Sequence, residues 1–207
     1  MVSGGRHFSM IRGFHLADLF TLANAASGTA AVFAVVDGAR RSDAAMLLCA
    51  AGLIVAALVF DTFDGRVARS RHSHSVMGRE LDSLADVISF GVAPAAIGFG
   101  AGLDGAWDQA ILVYFVSCGV SRLARFNVTA EALSAGGDKV RHFEGTPIPS
   151  SILLVAVLAA AAWRGRIGPS LWLGVLEIGP WRLHPLCLMF AISGSLMISK
   201  TLRVPKP

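Results

Sequence analysis

Charge is scarce in this chain: Asp, Glu, Lys and Arg supply 15% of its 207 residues, against the roughly 25% typical of a soluble domain. With 54% hydrophobic residues, that scarcity excludes an ordinary soluble globule and leaves the bilayer as its natural solvent. Aromatics are few as well, at 8%, and no basic stripe is interleaved with them, so the net charge of +4 is not a nucleic-acid footprint. There are only three cysteines, Cys49, Cys118 and Cys187, far apart and each inside an apolar run. That spacing gives neither a disulfide framework nor a metal cluster, and the expectation is three buried, inert thiols. No cleavable leader is apparent, because the first apolar stretch, Phe14 to Val36, runs into Asp37, Arg40 and Arg41 rather than small residues. Internal repeats, low-complexity tracts and a second domain are also missing, so residues 1–207 read as one domain.

What the chain does have is apolar segments of roughly 16 to 22 residues, near the ~20 that carry a helix across ~30 Å of hydrocarbon. Six spans can be drawn, at about residues 15 to 36, 45 to 60, 84 to 101, 109 to 121, 148 to 163 and 184 to 199, the fourth being short. The expected fold is all-α: a polytopic membrane protein built as a six-transmembrane-helix bundle. The connections 61 to 83 and 122 to 147 are the longest and most polar. Six spans put both termini and these two connections on one side, with most of the 18 basic residues. Arg40, Arg41, Arg164, Arg166 and Arg182 stay on the other. The positive-inside rule then places termini, long connections and any site among them in the cytosol.

Acidic residues bracket the first of those connections. The second span ends in Asp61-Thr-Phe-Asp64-Gly65-Arg-Val-Ala68-Arg69, and the third opens with Gly78-Arg-Glu-Leu-Asp82-Ser-Leu-Ala-Asp86. Residues three or four apart share a helix face, so Asp61 pairs with Asp64 and Asp82 with Asp86, and neighbouring helices would make the pairs converge. Four such carboxylates repel each other by several kcal/mol unless counter-charge is supplied. Divalent cations supply it. An oxygen-only donor set selects hard ions such as Mg²⁺, Mn²⁺ or Ca²⁺ over zinc, and two of them close together suit phosphoryl transfer. Span-capping acids would be the bland alternative, but Asp86 lies well inside an apolar run, where an unpaired charge costs about 2.5 to 3.5 kcal/mol.

The stretch resembles the motif of the CDP-alcohol phosphotransferase family, Asp-x2-Asp-Gly-x2-Ala-Arg-x8-Gly-x3-Asp-x3-Asp, at all its fixed positions and spacings. The resemblance implies two divalent cations, Mg²⁺ or Mn²⁺, held by Asp61, Asp64 and Asp82, with Asp86 both touching a metal and serving as general base. It also implies a cytidine diphosphate site lined by Gly65, Ala68, Arg69 and Gly78, with Ser75 as a further contact and Thr21-Leu-Ala-Asn24 of the first span beside it. Asp18 departs from the pattern, which often has Asn there. Independently of the resemblance, a glycine at 65 lets a nucleotide lie against the helix, and an arginine one turn on can grip phosphate as a bidentate fork.

The acceptor alcohol is suggested by the second long connection. Its Ser121-Arg122-Leu-Ala-Arg125-Phe-Asn127-Val and His142-Phe-Glu-Gly145-Thr-Pro147-Ile-Pro149 resemble the phosphatidylserine synthase branch of the family. Arg122 and Arg125 are then candidate acceptor-binding forks, although topology alone would also place arginines there. On this resemblance the chain moves a phosphatidyl group from CDP-diacylglycerol to L-serine at the membrane, releasing CMP, and works as a homodimer. The alternatives are another acceptor, such as glycerol 3-phosphate, inositol phosphate or choline, or a divalent cation transporter. A transporter would want its acids spread across the membrane depth, and here they gather at one side.

Overall fold

The computed structural model describes residues 16–41, 43–71, 76–134, 142–199 and 203–205. Seven α-helices dominate the described residues: α1 (Leu16–Arg41), α2 (Ala45–Arg71), α3 (Val76–Asp86), α4 (Ala93–Ala101), α5 (Ala106–Ser134), α6 (Ile152–Trp163) and α7 (Leu188–Ile198). Among the described residues, strand structure is confined to two short antiparallel pairs, β1 (His142–Glu144) with β4 (Arg203–Pro205), and β2 (Leu176–Ile178) with β3 (Trp181–Leu183).

Four segments are long and apolar enough to cross a membrane, Ala17–Arg41, Ala45–Arg66, Met77–Ala101 and Ala106–Thr129, and two shorter apolar helical segments follow at Ile148–Trp163 and Pro185–Ile198. The protein is a membrane protein. Its surface agrees, since large apolar side chains such as Phe33 and Val113 are about two-thirds exposed along the helices, at 68% and 66%, a cost that lipid removes. Cys49 shows the same effect. It was expected to be buried with the other two cysteines, yet only Cys118 and Cys187 are, while Cys49 lies on the outer face of α2. In a bilayer an apolar neighbourhood does not distinguish core from lipid.

The helices also outrun the apolar segments read from sequence. α2 continues past residue 60 to Arg71, and the fourth span, expected to be short at 109 to 121, belongs to the 29-residue α5. Polar residues beyond the hydrocarbon do not end a helix when they can reach water, so the motif residues lie on helical extensions rather than in loops.

α3 and α4 form a single span interrupted by one wide π-helical stretch, Val87–Val92. Pro94 accounts for it: proline cannot donate to the carbonyl four residues back and its ring crowds that turn, and a wider turn relieves both problems. The π stretch presses on α1. A Cβ at Gly28 would lie 2.7 Å from the Ser89 Cα, so only glycine permits this approach, and the Ser89 hydroxyl donates 2.9 Å to the Asn24 carbonyl.

At the opposite end of the bundle the carboxylate of Asp108, fully buried, accepts from the backbone N–H of Gly105 (3.0 Å) and of His184 (2.8 Å) and from the His184 ring Nδ1 (2.6 Å). This ties the start of α5 to the residues that lead into α7. Between the two ends lies an apolar core in which Phe115 of α5 meets Phe190 of α7 edge to face at 5.2 Å.

Gly28→Ala should therefore lower stability by about 1–3 kcal/mol through overpacking against Ser89, read as a drop in the thermal midpoint in detergent. Gly52→Ala, where nothing lies within 4 Å, should stay within about 0.5 kcal/mol of the parent.

Candidate active site

The site is built from three helix ends. α2 brings Asp61 and Asp64 one turn apart, α3 brings Asp82 and Asp86 one turn apart, and α1 runs alongside with Asp18, Thr21, Asn24 and Gly28 along one stripe. All four α1 residues are buried, and Asn24 is fully so. One carboxylate oxygen from each of Asp61, Asp64 and Asp82 can be chosen so that all three lie within 4.8 Å of one another. Asp86 stands beside this trio, close enough to interact electrostatically with all three.

α1 supplies the hydrogen bonds that aim these carboxylates. The Thr21 hydroxyl donates 2.7 Å to Asp64 Oδ2, and the Asn24 amide donates 3.3 Å to Asp86 Oδ1. Each helix of acids thus has one member fixed from the same third helix. The Asn24 backbone is fixed in turn through Ser89, so the Gly28 contact helps set where Asp86 points.

The donor set fits a hard divalent cation. It is oxygen-only, it is crowded with negative charge, and Oδ1 of Asp82 is buried with no hydrogen-bond partner among the described residues. Asp18 adds to the negative field from the first turn of α1, near enough to act on Asp64.

The other expected residues are distributed around this centre. Gly65 follows Asp64 on α2, and a Cβ there would meet nothing within 4 Å among the described residues. Ala68 and Arg69 lie on the last turns of α2, and Gly78 is half-buried near the start of α3. Ser75 is outside the described residues. Arg122 and Arg125 are both half-buried on α5, and Arg122 is within electrostatic reach of Asp86 and of Arg125. The Nε of Arg122 is buried without a hydrogen-bond partner among the described residues, a donor free to meet an incoming anion.

Sequence reading missed the link between α3 and α5. Asn127 of α5 donates to Ser83 (3.0 Å) and to Glu80 (3.2 Å), both on α3 beside Asp82. Arg79 is a second omission, with its Nε buried, without a hydrogen-bond partner among the described residues, and 3.9 Å from Glu80. Its position three residues before Asp82 was a usable signal, because that spacing puts both on one face.

The family model for CDP-alcohol phosphatidyltransferase matches residues 14–192, which contain the whole of this site. The chain belongs to that family. Among its relatives, it is 42% identical to the CDP-diacylglycerol--serine O-phosphatidyltransferase of Saccharomyces cerevisiae over 208 residues, 99% of this chain and 75% of that one. It is 39% identical to the archaetidylserine synthase of Methanothermobacter thermautotrophicus over 145 residues, 68% of this chain and 56% of the relative. A third relative, the CDP-diacylglycerol--serine O-phosphatidyltransferase of Helicobacter pylori, is 45% identical over 107 residues, 51% of this chain and 43% of its own. The matches thus span three quarters of the yeast protein but only about half of the other two. Membership of the family accords with a cluster of acids able to hold a metal ion at the membrane-helix ends.

Thr21→Val should weaken Mn²⁺ binding by about 10–100-fold, the usual effect of losing a residue that orients a ligand, measured by calorimetric titration of the detergent-solubilised protein. Ser27→Ala, on the same helix but bonded to its own backbone at Ala23, should leave the titration unchanged.

Proposed function

We propose that this chain is a CDP-diacylglycerol-serine O-phosphatidyltransferase of phospholipid biosynthesis, transferring the phosphatidyl group of CDP-diacylglycerol to the hydroxyl of L-serine to give phosphatidylserine and CMP. The observation that carries the reading is the convergence of three carboxylates from α2 and α3 next to a fourth, Asp86, within a chain 42% identical to the yeast serine enzyme over nearly its full length. The serine transferase names of further relatives support the same acceptor.

Asp61, Asp64 and Asp82, with Asp86 adjoining, would hold two divalent cations, Mg²⁺ or Mn²⁺, which when bound supply charge neutralisation to the donor pyrophosphate and to the departing CMP. Asp86 accepts the proton of the serine hydroxyl as that oxygen attacks the phosphatidyl phosphorus. At 8% exposure and fixed by Asn24, its carboxylate relies on position more than on basicity. The phosphorus–oxygen bond to CMP breaks as the new one forms, and CMP carries away the pair of electrons. Gly65, Ala68, Arg69, Ser75, Gly78 and Asn24 form the nucleotide side: the lack of a side chain at Gly65 admits the cytidine end, and Arg69 offers its guanidinium to phosphate. Arg122 and Arg125 face the acceptor, and the unpaired Nε of Arg122 near Asp86 is placed for the serine carboxylate.

The same reading makes the chain one multi-pass membrane domain over residues 1–207, crossing six times, with termini and site in the cytosol and the lipid tails of the donor among the helices. The excess of Arg and Lys on the site's side supports that orientation. Two such chains form a homodimer.

With Mg²⁺ or Mn²⁺ and CDP-diacylglycerol, the purified protein in detergent should release CMP when offered serine, and not with glycerol 3-phosphate, inositol phosphate or choline. Asp86→Asn should reduce the serine-dependent rate by about 10²–10⁴-fold. Release with a different acceptor would keep the chemistry and overturn serine; no release with any would overturn the enzyme reading.

A further inference from the structure

At the end of the bundle remote from Asp61, Asp64, Asp82 and Asp86, the segment between α6 and α7 folds into a hairpin that the chemistry above does not use. Gly179, at φ +64, followed by Pro180, makes the two-residue turn between β2 and β3, with glycine first as such turns require. The register pairs Leu176 with Leu183, Glu177 with Arg182 and Ile178 with Trp181. Opposed residues share a face and successive ones alternate, so Leu176, Ile178, Trp181 and Leu183 form one wholly apolar face, with Glu177 and Arg182 on the other. A hairpin in water would turn the apolar face inward. Here Leu176, Ile178 and Trp181 are 52%, 45% and 51% exposed.

Tryptophan placement points the same way. The chain has four: Trp107 opens α5, Trp163 ends α6, and Trp172 and Trp181 stand in the intervening segment, all at this one end. Trp107 meets Trp181 edge on at 5.4 Å and its indole N–H donates to the Ile178 carbonyl at 3.4 Å, which makes the hairpin continuous with the lipid-facing side of α5. Trp163 is 80% exposed. Basic groups accompany the rings: the Arg164 guanidinium stacks 5.6 Å from the centre of Trp172, and Arg182 lies 3.6 Å from Asp104. Amphipathic rings beside arginines are the composition of a headgroup zone.

Helix length supplies an independent argument. α6 and α7 have 12 and 11 residues, and with the 3-10 turns that precede them reach only roughly 22–26 Å, short of ~30 Å of hydrocarbon. A connection between two such short helices is drawn into the membrane boundary rather than held off it.

We propose that the β2–β3 hairpin is an interfacial membrane anchor. Its apolar face lies among lipid headgroups and upper acyl chains, with Arg164 and Arg166 toward lipid phosphates, and it completes the membrane contact of the two short helices. That the leaflet is the non-cytosolic one rests on the orientation given under Proposed function; the embedding does not.

The test is fluorescence quenching in sealed, uniformly oriented vesicles. A chain keeping only Trp181, through Trp107→Phe, Trp163→Phe and Trp172→Phe, is compared with one that also carries Glu177→Trp and Trp181→Phe. Lipids brominated near the carbonyl should quench Trp181 several-fold more strongly than lipids brominated at the chain end, and iodide should reach it several-fold less than the residue at 177. Iodide reaching both positions equally, or Trp181 shielded from lipid and iodide alike, as beneath a second copy or another protein, would overturn the anchor. Trp181→Phe alone, in the otherwise unmutated protein, gives a second readout: the emission it removes should be the part quenched by lipids brominated near the carbonyl and spared by iodide, and the reverse would overturn the anchor without the triple substitution. Iodide inside versus outside reads the side separately: quenching from the wrong side would overturn the orientation while the embedding stood.

Discussion

Like charges crowded into a nonaqueous site are the constraint around which this molecule is organised. Unit charges near 4.8 Å apart repel by about 3 kcal/mol even at an effective dielectric constant of about 20, and three carboxylates can approach within that distance while a fourth adjoins. Nothing in the apolar core offsets this. A fold that keeps such a cluster needs rigid elements to hold it and positive charge to satisfy it, and the first of these is visible. The acids come from helices, not loops, and a buried oxygen of Asp82 has no hydrogen-bond partner among the described residues.

α1 makes the arrangement specific. Its buried residues Asp18, Thr21, Asn24, Gly28, Ala31 and Val35 follow three- and four-residue steps, so they form one stripe, polar where it passes the acids and apolar deeper in. The polar half aims Asp64 and Asp86. Gly28 marks the change, where the π stretch beyond Asp86 comes close enough to exclude any side chain. Proline-induced widening, glycine-permitted approach and carboxylate aim are therefore one connected device. The far end is organised by different means, with the Asp108–His184 bond inside and an amphipathic hairpin outside.

Much of this was legible in the sequence because local spacing determined it. The three- and four-residue steps in Asp61, Asp64, Asp82 and Asp86 place pairs on faces whatever the tertiary fold, and apolar length marked six helical segments. Contacts that depend on docking were not legible. Asn127 reaches Ser83 across 44 residues, and no periodicity connects them. Thr21 and Asn24 were noticed as a polar stretch, but their partners Asp64 and Asp86 follow only from the packing of α1 against α2 and the third span. Hydrophobic run length underestimated α2 and α5, since helices persist into the polar zone, and it misjudged Cys49, since lipid and core are equally apolar. The alternating pattern of the hairpin, only three residues per strand, was too short to stand out between Gly and Pro.

The central claim is that aspartates from two helices form one site for a pair of cations. Electron paramagnetic resonance of the protein loaded with Mn²⁺ tests it most directly, because two ions sharing carboxylates a few Å apart give a spin-coupled spectrum distinct from isolated ions. The account predicts two Mn²⁺ per chain with a coupled signal that disappears in Asp82→Asn. A single uncoupled Mn²⁺, or no tight binding in the unmutated protein, would contradict it.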